Sequence, residues 1–321
     1  MEELSIDDLK VKRGEKAFGF VPVEGTDLKL PVALAKGAKD GPRVLISAGV
    51  HSAEHVGVAG LLRFARALDP AELSGELVMI LLMNPSGFAH RTLSMVYEDG
   101  KNLNRVFPGN PGGTTADKIA ATVVGKFFGT AERYVDLHSG DAHESLVPMV
   151  FSVGEAKPEV VAEAERMAKA ANVRYLVRSG VATGGAYNHA GSMGIPSILI
   201  ERGEKGMWSE SEADLCVNDV KNVLRTLGLL EGRLEGRVFV PDRLARTAYV
   251  PAPVSGHWHP TRTAGNSFKK GETIGVIRDC FGNDLAAPTF EFDGVILYQV
   301  ESLTVIEGEN LIAYGGEPMT I

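Results

Sequence analysis

The sequence predicts an α/β fold, a mixed and mostly parallel sheet flanked by helices, followed by a small all-β domain. Three observations predict it. Strand-length apolar runs alternate with helix-period segments up to about residue 230, the pattern of a sheet with helices on both faces. From about residue 235 onward there is no convincing helix, only short apolar stretches broken by Gly, Pro and Asn. Between the first long apolar run and the first helix stand two imidazoles and a carboxylate, in Gly49-Val50-His51-Ser52-Ala53-Glu54-His55. Such strand ends are where ligands bind in α/β sheets. We divide the chain into a catalytic domain, residues 1–232, and a small barrel-like β domain, residues 233–321.

Residues 10–35 alternate apolar and polar around Glu24-Gly25-Thr26-Asp27 and read as a hairpin. Arg43 to Ala48 is a buried strand, and Val58 to Leu68 has helical spacing. Leu77 to Met83 is a central strand that stops at Asn84-Pro85-Ser86-Gly87. The Gly/Pro/Asn-rich stretch from there to Gly113 has little periodicity, and a long loop inside a compact domain is commonly functional. Helices follow at 116–128 and 158–171, the second with Pro158 in its first turn. A last helix covers 210–230. Strands are expected at 134–138, 147–153, 175–177 and 195–200. The β tail contributes 237–240, 256–258, 273–277 and 294–298. There is no internal repeat.

The chain has 321 residues, 44% hydrophobic and 23% charged, ordinary for a soluble globular protein. A net charge of −8 argues against a nucleic-acid partner. Its two cysteines, Cys216 and Cys280, exclude a disulfide scaffold and a cysteine-rich metal site, and they fit a reducing cytoplasm. The acidic N-terminus is no signal peptide, and no apolar run is long enough to span a bilayer, so no membrane is expected.

Residues 51–55 can be parsed in two ways. As His-x-x-Glu-His, both histidines would bind zinc from within one helix, with the glutamate as base. As His-x-x-Glu, His51 and Glu54 supply two ligands and a third comes from elsewhere; a catalytic zinc needs three plus water. The Gly-Val turn directly before His51 favours the second parsing. Alone, the motif is more often a capped helix start. His138 is a candidate third ligand at the end of a strand. Asp136, two residues earlier, shares its face and suits the orienting of a metal-bound imidazole. Glu201 leaves an apolar strand partly desolvated, which suits a general base. Arg91 and the pair Asn104-Arg105 lie in the long loop, where a guanidinium can grip a carboxylate.

In that order, Gly-Val-His51-Ser-Ala-Glu54, Asn84-Pro85, Asn102-Leu-Asn104-Arg105-Val-Phe-Pro-Gly, Asp136-Leu-His138 and Glu201-x-Gly203 resemble the succinylglutamate desuccinylase/aspartoacylase family. That family belongs to the wider class of zinc carboxypeptidase-like folds. The resemblance covers most of residues 40–205; members often have Asp where Asn102 stands. It implies one zinc ion per chain, held by His51, Glu54 and His138. It implies Glu201 as general base and acid, Arg91 polarising the scissile carbonyl, Asn104 and Arg105 holding a carboxylate on the amine side, and Tyr187 as a site tyrosine. His55 has no ligand counterpart. Aspartoacylases carry an arginine shortly after that tyrosine, and Tyr187 to Gly194 contains none. A neutral acyl group such as acetyl is therefore expected, or a second carboxylate read by Arg178 or Arg202.

The function these features imply is hydrolysis of the amide of a small anionic N-acyl amino acid by Glu-assisted attack of zinc-bound water. The alternative is a zinc carboxypeptidase acting on peptide or polymer ends, which an open cleft would favour and a covering β tail would not. A binding module without activity would not need Glu201. Homo-oligomerisation stays open.

Overall fold

The computed structural model describes residues 3–236 and 238–316. Among the described residues, nine strands form the main sheet. Five of its eight neighbour pairs are parallel and three antiparallel, so the sheet is mixed and mostly parallel. Its centre is Ser74–Ile80, Lys39–Ala48, Arg133–His138 and Ser197–Glu201, paired in parallel in that order. Their inner segments are nearly continuous Val, Ile, Leu and Met, as strands covered on both faces must be. One flank is the antiparallel hairpin Glu15–Pro22 and Lys29–Lys36. On the other, Met149–Val153 runs antiparallel to Ser197–Glu201, followed by Tyr175–Ser179 and Asp242–Arg243. Because the central strands are parallel, their C-terminal ends gather His138, Glu201 and the turn after Ala48 at one edge.

Among the described residues, six α-helices accompany this sheet: α1 His55–Ala67, α2 Pro85–His90, α3 Thr115–Lys126, α4 Pro158–Ala168, α5 Ala186–Ser192 and α6 Glu210–Thr226. Helix α1 packs on α6 and on the two strands that carry the 49–55 turn and His138; α4 and α5 pack on Ser197–Glu201. Gly49 has φ +69°, and a Cβ there would stand 2.6 Å from Leu82 and 3.0 Å from Val58. Only glycine turns the chain this sharply out of the strand.

Several elements differ from the sequence expectations. An additional hairpin, Glu3–Ile6 with Leu9–Lys12, precedes the predicted one. The long loop holds α2 and a 3₁₀ turn at Leu103–Arg105, too short to show a period. Helix α5 was not expected because glycine flanks it and also lies within it. The strand expected at 147–153 starts at Met149 and joins the main sheet; ahead of Val147-Pro148 an unexpected short strand, Glu144–Leu146, pairs with the C-terminal strand Gly294–Val300. Of the strand expected at 237–240, Arg237 lies outside the described residues. Val238 to Val240 form no strand and are exposed.

The C-terminal region is all β, with antiparallel sheets around Trp258, Phe268, Phe290, Ile296 and Tyr314. Phe268 and Phe290 stack at 3.6 Å, with the Tyr314 ring edge-on to both. A second small cluster joins Met149 and Val177 of the main sheet to Leu297 and Ala313 of this region. Strand pairing crosses residue 232 in both directions: Asp242–Arg243 enters the main sheet, and Glu144–Leu146 enters the C-terminal one. None of the described helices is long and apolar enough to cross a membrane.

Candidate active site

The turn after Ala48 places His51 before α1 and Glu54 at its N-cap, while His138 ends its strand. Glu54 stands between the two imidazoles. Its Oε1 is 2.6 Å from Nδ1 of His51, and its Oε2 is 2.9 Å from Nδ1 of His138. The rings meet edge to face at 5.1 Å. The remaining ring nitrogens are also engaged. Nε2 of His51 donates to Asn102 Oδ1 at 3.1 Å, and Nε2 of His138 to Asp136 Oδ2 at 3.2 Å. With Nε2 protonated, each Nδ1 directs a lone pair at a carboxylate oxygen, an arrangement that demands a proton or a cation between them. Donor atoms of all three residues lie within 4.8 Å of one another. Two imidazoles and a carboxylate, each ring held from behind, are a donor set that can hold a metal ion.

The support extends further back. Ser47 Oγ donates to Asp136 Oδ1 at 2.6 Å and lies 2.6 Å from the Tyr134 hydroxyl, all three fully buried. The backbone N–H of Ser139 donates to Glu54 Oε2 at 3.1 Å. Burial opposes the charge on Glu54, but the two imidazoles more than offset this and hold its carboxyl well below the usual range. Burial likewise opposes charging of His138, and Glu54 and Asp136 raise it well above an ordinary histidine.

Glu201 is paired in register with His138 on the neighbouring strand. Burial, then the nearby Glu54 charge, push its carboxyl up to about 8, with His138 opposing. Its Oε2 is buried with no hydrogen-bond partner. Gly203 follows at φ +90°, where a Cβ would stand 2.4 Å from Val56. That contact explains the glycine two residues after the glutamate.

A cavity of about 520 Å³ opens over these groups. Asn104 and Arg105 both line it. Asn104 Oδ1 accepts the N–H of Ala186 at 2.8 Å, at the start of α5, and Arg105 Nη1 donates to the Asn104 carbonyl at 2.9 Å. Tyr187, buried in α5, lines the cavity, and burial raises its hydroxyl well above the ordinary value. Arg91 stands apart: it is exposed at the C-cap of α2, with φ 57°, and does not line the cavity. The same loop reaches the cavity through Ser94, whose Oγ donates to Asp141 Oδ2 at 2.8 Å. His55 is the first residue of α1 and faces elsewhere; its Nδ1 lies 2.8 Å from the Gly206 carbonyl, and its ring meets Phe88. Arg202 is buried against Asp219, with Nε donating to Oδ2 at 2.7 Å, so it is not available to a ligand. Arg178 lines the cavity from an exposed position three strands away from His138.

Several cavity residues carried no sequence signal. Glu144 lines it from the short strand Glu144–Leu146, where burial, and then Asp141 and Glu54, push its carboxyl up to about 8. Thr247, Tyr249, Tyr298 and Asn310 reach in from the C-terminal region. The β tail therefore forms part of the cavity wall.

Comparison with known proteins agrees with this architecture. Residues 40–227, more than half of the chain, match the model of the succinylglutamate desuccinylase/aspartoacylase catalytic domain. The chain is 26% identical over 297 residues to N-alpha-acetyl-L-2,4-diaminobutyric acid deacetylase of Halomonas elongata, covering 90% of this chain and 84% of that protein. Its fold resembles the succinylglutamate desuccinylase/aspartoacylase structure from Rhodobacter sphaeroides, with TM-score 0.82, 24% identity and coverage of 94% and 96%. It also resembles the product-bound ectoine utilization protein EutE (DoeB) from Ruegeria pomeroyi, with TM-score 0.84, 22% identity and coverage of 94% and 95%. With the family model matched over the sheet that carries the His-Glu-His cluster, the chain belongs to the succinylglutamate desuccinylase/aspartoacylase family.

Proposed function

We propose that this protein is a zinc-dependent deacylase that hydrolyses the amide bond of a small N-acyl amino acid. The observation that carries the proposal is the buried Oε2 of Glu201, which has no hydrogen-bond partner, beside a His-Glu-His cluster whose rings are held from behind. His51, Glu54 and His138 would hold the metal. Zinc there supplies Lewis-acid charge and lowers the pKa of water toward neutrality. Glu201 accepts the proton of the attacking water, and a carboxyl tuned upward toward neutral pH suits both this step and the return of the proton to the leaving nitrogen. Arg105, oriented through the Asn104 carbonyl, takes the substrate carboxylate by charge-assisted hydrogen bonds.

The acyl group we assign is acetyl. Arg202 is engaged with Asp219, Arg178 lines the cavity three strands away from His138, and α5 carries no Arg or Lys, so a carboxylate beside α5 would be buried without a partner, which is costly. The name of the Halomonas elongata relative, a deacetylase, agrees with this. The C-terminal residues in the cavity wall favour a small substrate over a polymer end. With Arg91 outside the cavity, the chain's own donor to the scissile carbonyl would be the buried Ser139 hydroxyl, which lines the cavity and is otherwise without a partner among the described residues.

The test is Glu201→Gln in zinc-loaded protein. Loss of a general base costs about 10²–10⁴-fold in turnover, so kcat for an N-acetyl amino acid should fall by that order with zinc content and melting temperature retained. A Gln variant with near-normal kcat removes Glu201 from the mechanism.

A further inference from the structure

Two buried hydroxyls stand behind His138 that the deacylation chemistry does not use. Asp136 accepts at both oxygens, from His138 Nε2 at 3.2 Å and from Ser47 Oγ at 2.6 Å. Ser47 is the register partner of Asp136 on the neighbouring strand. Its Oγ also lies 2.6 Å from the hydroxyl of Tyr134, which precedes Asp136 by two residues and so shares its face. All three side chains are fully buried, so water cannot replace any of these partners. A hydroxyl carries a single hydrogen. Ser47 donates its own to Asp136 and therefore accepts from Tyr134. Burial, and then the Asp136 charge, raise the Tyr134 hydroxyl well above its ordinary value, so it stays a donor. The chain of hydrogen bonds thus has one direction, from Tyr134 through Ser47 to Asp136. Its far end is fixed by ring packing: Tyr134 lies against Phe128 at 5.3 Å, and Phe128 stacks on Phe107 of the Asn102–Gly109 stretch at 6.2 Å.

We propose that Ser47 and Tyr134 are positioning residues for the metal: they fix the Asp136 carboxylate, which keeps the proton of His138 on Nε2 and leaves Nδ1 to the ion beside Glu54. Without the Ser47 hydroxyl, Asp136 Oδ1 is buried and loses its donor, and the carboxylate can turn away from the imidazole. Without the Tyr134 hydroxyl, Ser47 keeps its bond to Asp136 but is no longer held in that rotamer. Removing Ser47 should therefore cost more than removing the phenol oxygen. Groups that orient a metal-bound imidazole are worth about 10–100-fold in metal affinity.

The inference rests on the metal-binding half of the proposed function and not on its substrate. Its test is the zinc affinity of the whole chain, read by competition with a chelating dye, beside the melting temperature of the metal-free protein. Ser47→Ala should weaken zinc binding by about 10–100-fold, and Tyr134→Phe by a smaller factor. In the double variant the Tyr134→Phe change should add nothing further, because members of one hydrogen-bond network do not act additively. Ser197→Ala is the control. Its hydroxyl is as buried in the same sheet and donates to the Tyr187 carbonyl at 2.7 Å, away from the cluster, so zinc affinity should stay at the wild-type value. A merely structural role would lower the melting temperature of Ser47→Ala and leave its zinc affinity unchanged, or would weaken zinc equally in Ser197→Ala; either result overturns the proposal, as does full additivity in the double variant. If Ser47→Ala does not fold, Tyr134→Phe, which keeps the ring, decides alone, and unchanged affinity there overturns the proposal. A wild type that binds no zinc removes the metal reading and the proposal with it. Zinc binding without hydrolysis of any acetylated substrate would sink the deacylase reading alone.

Discussion

Each imidazole of the cluster uses both of its nitrogens, and this is what separates His51 and His138 from the other histidines of the chain. Nδ1 faces Glu54, while Nε2 rests on Asn102 or Asp136. His55 is adjacent in sequence but turns to the Gly206 carbonyl. His138→Ala should therefore strip most of the bound zinc in metal analysis, and His55→Ala should leave it in place; the reverse pattern would reinstate the ligand set with both histidines in one helix. Arg105 offers a second check. Lysine keeps its charge but lacks the planar fork that grips a carboxylate. Arg105→Lys should raise KM strongly for an N-acyl amino acid and little for the corresponding amide, and equal effects would make Arg105 structural. The cluster was legible because its residues flank strand ends, and Asp136 because two residues along a strand share a face. Arg91 could be singled out only by type and resemblance, and the chain turns it outward at a left-handed helix cap. Glu144 left no trace, since a glutamate six residues past His138 is ordinary until the tertiary fold encloses it.

Strand ends and the turns that leave them set the position of the His-Glu-His cluster and of Glu201. Gly49 and Gly203 both have positive φ, and in each case an added Cβ meets a side chain of α1. The left-handed backbone alone costs a non-glycine residue about 1–2 kcal/mol. Gly49→Ala should lower unfolding stability by at least about that much, measured by urea titration. It should also weaken zinc binding, because Leu82 and Val58 displace the turn that carries His51; unchanged zinc affinity would show that the turn tolerates the shift. At this scale the sequence was informative wherever strands are long and buried, as at Arg43 to Ala48 and Tyr134 to His138. It was silent on direction. No periodicity distinguishes Met149–Val153, antiparallel to its neighbour across Ser197–Glu201, from the parallel strands of the sheet, and nothing in the sequence marks the nearby Glu144–Leu146 as a strand of the other sheet.

The whole molecule is held by contacts between layers, and one of them gives a pH signature. Glu163 of α4 accepts from Arg166 on its own helix at 2.7 and 2.8 Å and from Arg133 of the sheet at 2.7 Å. Arg166, then Arg133, hold its carboxyl down to about 2 against an ordinary 4.5, with burial opposing. Because the folded value is the lower, this stabilisation is complete above about pH 4.5 and is lost as pH falls toward 2. Glu163→Gln should flatten that part of the acid-unfolding profile followed by circular dichroism, and an unchanged slope would assign the acid loss to other carboxyls. The pair is partly exposed, so added salt should shrink the effect. The α/β body and the β tail were both legible as classes, from alternation and from its end near residue 230. Their interlocking was not, since a three-residue strand carries too little pattern to reveal its partner. That strand has a consequence for the order of synthesis. All three histidine and glutamate donors of the cluster have left the ribosome once residue 138 and its neighbours are out. The wall that bears Glu144 must wait for its pairing partners at 298–300, more than 150 residues later. Long-range pairings form late. A nascent chain of this protein would thus assemble its His-Glu-His donors long before the wall of the cavity is complete.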